Sequence, residues 1–357
     1  MQTKKLEKLA DVINIDETKH AVLGDLSQAQ VDETDYTVFK LVDENAVYKI
    51  SESSDGIDFR WDFKFDATDE LPDYSGPFRH DLRFTDFSDE ALIKLLWLSY
   101  EYFVLVMKST AEEVASRKGA DMMREIQAAT WNQINLMTPS IIKEWNGFAV
   151  KEMPKTDSAD VIAFNPFKPD TRYSTCGKEQ LVKMALGSQE FMNTAIGAWS
   201  VQIITRYGHD EMCSILLAMW GSKVLPGVRS LKIKWMNVEG GDSTPVEAFT
   251  KDIQIDTTSF PGKAYEMTFE MPDRNTSLIA FIKCCVVEQG EEHGRDDIIK
   301  KTCHSTCPLS MIETAKMYDP NMKVEFLALP PRKSKEDVCC MYRLSMRDKS
   351  DPEYVVQ

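Results

Sequence analysis

A duplication constrains this chain more than any other feature of its sequence. Residues 117–131 align without a gap on residues 206–220, at a constant offset of 89 positions (208 − 119 = 89). Arg117, Gly119, Asp121, Met123, Ile126, Ala129 and Trp131 recur as Arg206, Gly208, Asp210, Met212, Ile215, Ala218 and Trp220, seven identities in fifteen positions. A duplicated segment folds into the same local unit twice, so whatever one copy forms the other must form as well. Upstream of each copy, Leu92, Leu95, Leu96, Phe103 and Val106, and then Phe191, Ala195, Trp199 and Ile203, fall at helical spacing on one face. Gly119 and Gly208 then supply the left-handed residue that ends a helix at least cost, and Asp121 and Asp210 cap or charge the start of the next. The predicted unit is a helical hairpin, present twice. Trp131 and Trp220 read as packing anchors of the two copies, or as walls of one shared pocket.

The second hairpin leads into a different kind of sequence. Thr244, Pro245 and Glu247 predict a helix start with a capping box, and the helix should run through Phe249. Tyr265 to Met271 and Leu278 to Val287 have strand length and composition, joined by a turn at Pro272-Asp273-Arg274-Asn275. Met322 to Leu329 and Val338 to Met346 are two further strands, separated by the Pro330-Pro331 turn. The expected fold class is α+β: duplicated helical hairpins, the second packed on an antiparallel sheet, with a β-rich N-terminal extension. In that extension Tyr36 to Val42, Ala46 to Ile50 and Ile57 to Phe65 predict a three-stranded meander whose Phe59, Trp61, Phe63 and Phe65 strip is core. Pro72, Pro77 and a surface His80 form a loop, and Phe148 to Tyr173 reads as a surface linker. The predicted divisions are residues 1–86, 87–175 and 176–357.

Charge and hydropathy narrow the partners. The net charge of −15 on 357 residues, with no basic run to offset it, argues against nucleic acid and anionic membrane. No apolar stretch approaches the roughly 20 residues of a membrane span, and the polar start is not a signal-peptide core, so a cytoplasmic protein is expected. In that compartment eight cysteines are reduced thiols, metal ligands or catalytic groups, and not a disulfide framework.

Six of the eight cysteines lie between Cys284 and Met346, with two of the five histidines, His293 and His304. Side chains alternate along a strand, so Cys284 and Cys285 should not face one site together, nor should Cys339 and Cys340. Cys307-Pro308 resembles a helix start, where the dipole favours thiolate. Cys176 and Cys213 stand apart from this group and read as structural thiols.

From Ser188 to Met346 the order of features resembles the L-2-amino-thiazoline-4-carboxylic acid hydrolase-like family. The resemblance is carried by Arg206, Gly208 and Trp220, by Cys285, Glu288 and Gly294, by Cys303 and Cys307, and by Pro330, Pro331 and Cys340. It implies hydrolysis of a C–N bond in a small heterocycle, or a pocket for such a molecule. The doubled cysteines, the extra hairpin and the N-terminal extension depart from the family pattern.

Three readings of the cysteines compete. In the first, Cys303 or Cys307 is a nucleophile, with His304 or His293 moving protons, Glu288 orienting or acting as base, and Cys285 close by. The second is a zinc or iron site built from Cys285, Cys303, Cys307 and Cys339 or Cys340, although the Cys-x3-Cys spacing is loose. In the third the thiols only fill a core. Arg332 is either a surface arginine or a clamp for a substrate carboxylate, and with Trp220 and His293 it completes the candidate substrate contacts. The loop Gly240 to Ser243 lacks a phosphate-loop lysine and is flanked by acids. Nucleotide-binding, zinc-protease and serine-hydrolase motifs are absent from the sequence. The leading expectation is a cysteine-dependent hydrolase acting on a C–N bond of a small heterocyclic or amide-containing molecule. The alternative is a non-catalytic small-molecule or metal-binding module whose hairpins form a pocket or the face of a homo-oligomer.

Overall fold

A computed structural model describes residues 70–80, 82–143, 176–259 and 265–355 of the chain. The predicted meander at residues 36–65 and the linker at 148–173 lie outside the described residues.

The duplication is visible in the helix boundaries. Helix α1 spans Asp89–Lys118 and α2 spans Ala120–Lys143, while α3 spans Lys178–Tyr207 and α4 begins at His209 and runs to Met219. Both ends of the first helix and the start of the second therefore shift by the same 89 positions (89 to 178, 118 to 207, 120 to 209). Ser88 caps α1 by accepting from the Ala91 N–H at 3.2 Å, and acids at its start and bases at its end complement the helix dipole. Gly119 and Gly208 adopt φ/ψ of 89°/159° and 85°/171°. This is extended backbone at positive φ, not the left-handed helical well that the sequence suggested, and it is a conformation essentially confined to glycine. Each glycine serves two helices at once. Its N–H closes the first, to Ala115 or Ile204, and its carbonyl accepts from Met123 or Met212 to open the second.

The copies pack through the faces that the periodicity marks. Leu92, Leu95, Leu96, Phe103 and Val106 are buried against Phe191, Ala195, Trp199 and Ile203. The Phe103 and Phe191 rings lie 5.1 Å apart, and the Trp199 indole N–H donates to Met107 Sδ at 3.2 Å. The duplicated arginines make reciprocal contacts. Arg117 donates to Ser214 at 2.7 Å, and Arg206 reaches Glu125 at 3.4 Å, the equivalent position in the other copy (125 + 89 = 214). Such exchange of equivalent contacts is what a pseudo-twofold relation between two copies produces.

After α4 the copies diverge. A π-helical turn at Trp220–Val224 leads into α5, Leu225–Met236. Trp220 packs edge-on to Tyr102, ring centroids 5.7 Å apart, so it acts as a packing anchor. Helix α6, Pro245–Gln254, is capped by Thr244 accepting from Glu247 N–H at 3.2 Å, with Pro245 in the first turn. The expected capping box does not close. The Glu247 carboxylate instead accepts from the Phe78 N–H at 2.9 Å and from Arg274, tying the segment 70–88 to the sheet. That segment also docks through Tyr74, whose N–H donates to the Met236 carbonyl at 2.7 Å and whose hydroxyl donates to Gln254 at 2.5 Å. Gly241 lies in the loop beneath it, where a Cβ would stand 2.0 Å from the Ser75 carbonyl oxygen, so this loop serves backbone packing. His80 is exposed, as expected.

The remainder is a four-stranded antiparallel sheet in the order β1-β2-β4-β3: Tyr265–Asp273, Thr276–Cys284, Cys340–Met346 and Met322–Ala328. Between β2 and β3 run α7 (Cys285–Glu292), α8 (Asp296–Lys301), a second π-helical turn (Thr302–Thr306) and α9 (Cys307–Tyr318). One sheet face, including Phe269, Ile279, Phe326 and Tyr342, packs on Val246 and Phe249 of α6 and on Met311 and Ala315 of α9. It is thus α6 and α9 that cover the sheet. The second hairpin meets this module through α8 and the second π turn. The molecule is α+β, as expected. β2 ends three residues earlier than the composition suggests, because Val287 is buried with Ile299 and that burial outweighs the strand preference of the two valines.

A charged group lies deep in the junction of these parts. Lys232 of α5, 2% exposed, bonds the carboxylates of Asp252 and Asp256, the latter at 2.5 Å. Asp252 also accepts from the Tyr318 hydroxyl, and Asp256 from the Thr258 N–H at 2.9 Å.

Candidate functional site

The C-terminal cysteines occupy element ends. Cys284 closes β2, Cys285 opens α7, Cys303 sits in the second π turn, Cys307 opens α9, and Cys339 and Cys340 lead into β4. All eight thiols are free. Cys303 and Cys339 pack with Val287 and Ile299, whereas Cys340 points into the sheet core, 3.2 Å from the Tyr342 hydroxyl. The Cys339 and Cys340 pair therefore divides between two cores as strand alternation requires. The argument does not extend to Cys284 and Cys285, because Cys285 belongs to a helix.

Three expectations about these thiols need correction. Cys307 is not at a free helix terminus: its predecessor Thr306 is itself helical (φ −66°, ψ −49°), and α8, the π turn and α9 run on without a break. No orphan N–H groups or uncompensated dipole act on its sulfur, and burial, followed by the Cys213 and Cys285 thiols, pushes it up to about 11. Burial likewise holds Cys303 well above the ordinary thiol range and pushes Cys339 up to about 12. The thiol at a real helix start is Cys285. There the Tyr265 hydroxyl favours the thiolate, but burial outweighs it and the thiol is raised. Nor do Cys285, Cys303, Cys307 and Cys340 form a metal site. Among the described residues no three His, Cys, Asp or Glu side chains converge as a ligand set. The reason is visible in the packing, since Cys303 and Cys340 point into different cores.

The other candidates are placed individually. Arg332 is not a surface arginine. Its guanidinium is nearly buried and grips Glu291 with two bonds of 3.0 and 2.6 Å, so the carboxylate it clamps belongs to the chain itself. His304 is held by the Pro330 carbonyl, and burial lowers its pKa. His293 is exposed at the end of α7. Glu288, half-buried in the first turn of α7, adds to the upward pressure on Cys285 and Cys339.

What the structure assembles lies one layer away. Cys213 Sγ is 3.4 Å from Nδ1 of His209, one turn earlier on α4, and the other ring nitrogen, Nε2, is 2.9 Å from Thr302 Oγ1 on the second π turn. With Nε2–H donated to the threonine hydroxyl, Nδ1 is the acceptor facing the thiol. Burial, then Lys301, lowers the His209 pKa, and burial raises Cys213, so the resting pair is neutral thiol and neutral imidazole. Thr306, one turn beyond Thr302, has a buried hydroxyl with no hydrogen-bond partner among the described residues. It stands close enough to Cys213 to favour its thiolate. Two pairs at i,i+4 spacing thus face each other across the helices. An exposed ion pair, Lys301 to Asp210 at 2.7 Å, flanks them.

This arrangement can deprotonate the Cys213 thiol through an oriented imidazole and return the proton to a leaving group. Reading Cys213 as a structural thiol overlooked it, although the duplication carried a signal. Where the second copy has His209 and Cys213, the first has Ala120 and Arg124 (120 + 89 = 209; 124 + 89 = 213). The two copies diverge in residue type at the positions that hold the pair. No helix among the described residues is long and apolar enough to cross a membrane. No protein-family model, no curated protein and no solved structure matches the chain.

Proposed function

We propose that this chain is a thiol-dependent hydrolase acting on a C–N bond of a small heterocyclic or amide-containing molecule, with Cys213 as nucleophile and His209 as its base. The observation that carries the reading is the Cys213–His209–Thr302 relay, a thiol, an imidazole and a hydroxyl that orients it. Nδ1 takes the thiol proton as sulfur attacks the electrophilic carbon, and the imidazolium then protonates the departing nitrogen. Water, activated by the same imidazole, cleaves the acyl- or amidine-sulfur bond and restores the thiol. The choice of a C–N bond rests on the resemblance to the L-2-amino-thiazoline-4-carboxylic acid hydrolase-like family. The acidic surface suits an uncharged or cationic small molecule, and a reducing cytosol would keep the thiol competent.

The test is turnover of a panel of cyclic amidines, thiazolines and lactams by wild-type, C213A and H209A proteins. Hydrolysis that persists at the wild-type rate in C213A rules out this nucleophile. The burial of Cys213, 8% exposed, favours a second reading in which the site binds a small molecule without converting it. Stoichiometric binding with no product would establish that one.

A further inference from the structure

The thiol next to the proposed nucleophile extends the chemistry of this site. Thr302 orients His209, Thr306 faces Cys213, and Cys307 follows Thr306 directly in the chain. Helix α4 packs on the second π turn, and α9 packs on the first, so the start of α9 is carried to the Cys213 side of α4. The neighbours of the Cys307 thiol include Cys213 on one side and Cys285 on the other. Cys285 is engaged by the Tyr265 hydroxyl. Cys303, Cys339 and Cys340 are committed to hydrophobic clusters. Of the thiols near Cys213, Cys307 is therefore the one brought closest by the helices that build the site.

We propose that Cys213 is a hydroperoxide-sensitive thiol and that Cys307 resolves its oxidised form into a Cys213–Cys307 disulfide, which reversibly silences the site. The inference rests on the reading of Cys213 as the reactive thiol, and it names how that thiol is regulated. In the first step His209 takes the Cys213 proton and the thiolate attacks the peroxide O–O bond. Sulfur is oxidised to the sulfenic acid, the peroxide is reduced, and the departing alkoxide or hydroxide takes the proton from His209. In the second step the Cys307 thiolate displaces hydroxide from that sulfur, which leaves as water with the Cys307 proton. Two thiols and one hydroperoxide give one disulfide, one alcohol or water, and one further water. With its thiol raised to about 11, Cys307 attacks slowly at neutral pH, and closure accelerates as pH rises toward that value.

The test uses the reduced full-length protein, hydrogen peroxide as oxidant, and peptide mapping by mass spectrometry without reduction. The expected product is a Cys213–Cys307 cross-linked peptide that dithiothreitol removes. In C307S this peptide is lost and dimedone traps a sulfenic acid on Cys213 instead. If C307S does not fold, dimedone present from the start must divert wild-type Cys213 into the adduct and suppress the cross-link. Pairing of Cys213 with Cys285 or any other thiol overturns the proposal, as does an unmodified Cys213 under conditions that oxidise free cysteine. No substrate enters the mapping, so the two readings fail separately. A mapped disulfide with hydrolysis indifferent to C213A defeats the hydrolase alone, and a C213A-sensitive hydrolase with no Cys213–Cys307 link defeats the switch alone.

Discussion

Replacing Lys232 by methionine tests how the parts of this molecule are joined. The lysine is 2% exposed and holds two carboxylates, Asp252 and Asp256, which draw further bonds from Tyr318 and Thr258. Methionine keeps most of the volume and removes the charge, leaving two carboxylates buried without a counter-ion. Breaking a buried pair in this way costs about 3–5 kcal/mol, because the remaining charge is still desolvated. Against a total stability of about 5–15 kcal/mol, the variant should sit near its unfolding threshold. Urea denaturation followed by circular dichroism, with thiols kept reduced, measures it. The pH dependence gives an independent check of the cause. With Lys232 gone, the carboxylates are raised above their unfolded values, so they contribute stability at low pH that is lost as pH rises through those raised values. The penalty should thus be smaller at pH 5 than at pH 8, and a further D252N substitution should recover part of it. In the wild type, burial lowers the Lys232 pKa but Asp252 and Asp256 more than offset this, so the stability it contributes is present below its ordinary 10.5 and is lost only above that. A loss under about 1 kcal/mol for K232M, or one independent of pH, would refute the assignment of an uncompensated charge.

Two more predictions follow from the hairpins and the relay. Alanine at Gly208 meets no atom within 4 Å, so its cost is backbone strain alone, about 1–3 kcal/mol, and Gly119→Ala should match it; equal wild-type stability in urea would show that the glycines are not required. H209A should lower kcat/KM on a confirmed substrate roughly 10²–10⁴-fold. Because burial and Lys301 depress the His209 pKa, wild-type activity should fall only as pH drops through a value below 6.5, and H209A should lack that limb.

The legible part of this fold was the part written as repetition and periodicity. The 89-residue offset recovers the boundaries of α1, α3 and the starts of α2 and α4, and the apolar spacing recovers the faces on which Phe103 meets Phe191. Thr244 and Pro245 mark the α6 start correctly, since a cap is a local signal. Local signals mislead where a distant partner competes for the same group. Glu247 abandons its capping box for Phe78 and Arg274, far away in sequence, and Arg332 finds Glu291, so a surface reading turns into a buried clamp. Cys307-Pro308 has the sequence of a helix start yet continues a helix already under way. The Cys213 relay joins residues 93 positions apart (302 − 209 = 93), a separation that no motif spans, and only the mismatch between the two copies pointed toward it.

The second π turn has a mechanical meaning beyond its threonines. A π turn is an α-helix carrying one residue more than it needs, and each residue advances the helix by 100°. Removing one residue from Thr302–Thr306 would let the helix close into regular α form and would rotate everything beyond it relative to everything before. Thr302 would stay on His209 while Cys307 and the sheet-covering face of α9 swung away by about a quarter turn. The turn thus works as a phase adjuster, letting one continuous helical segment present its first half to the duplicated hairpins and its second half to the sheet.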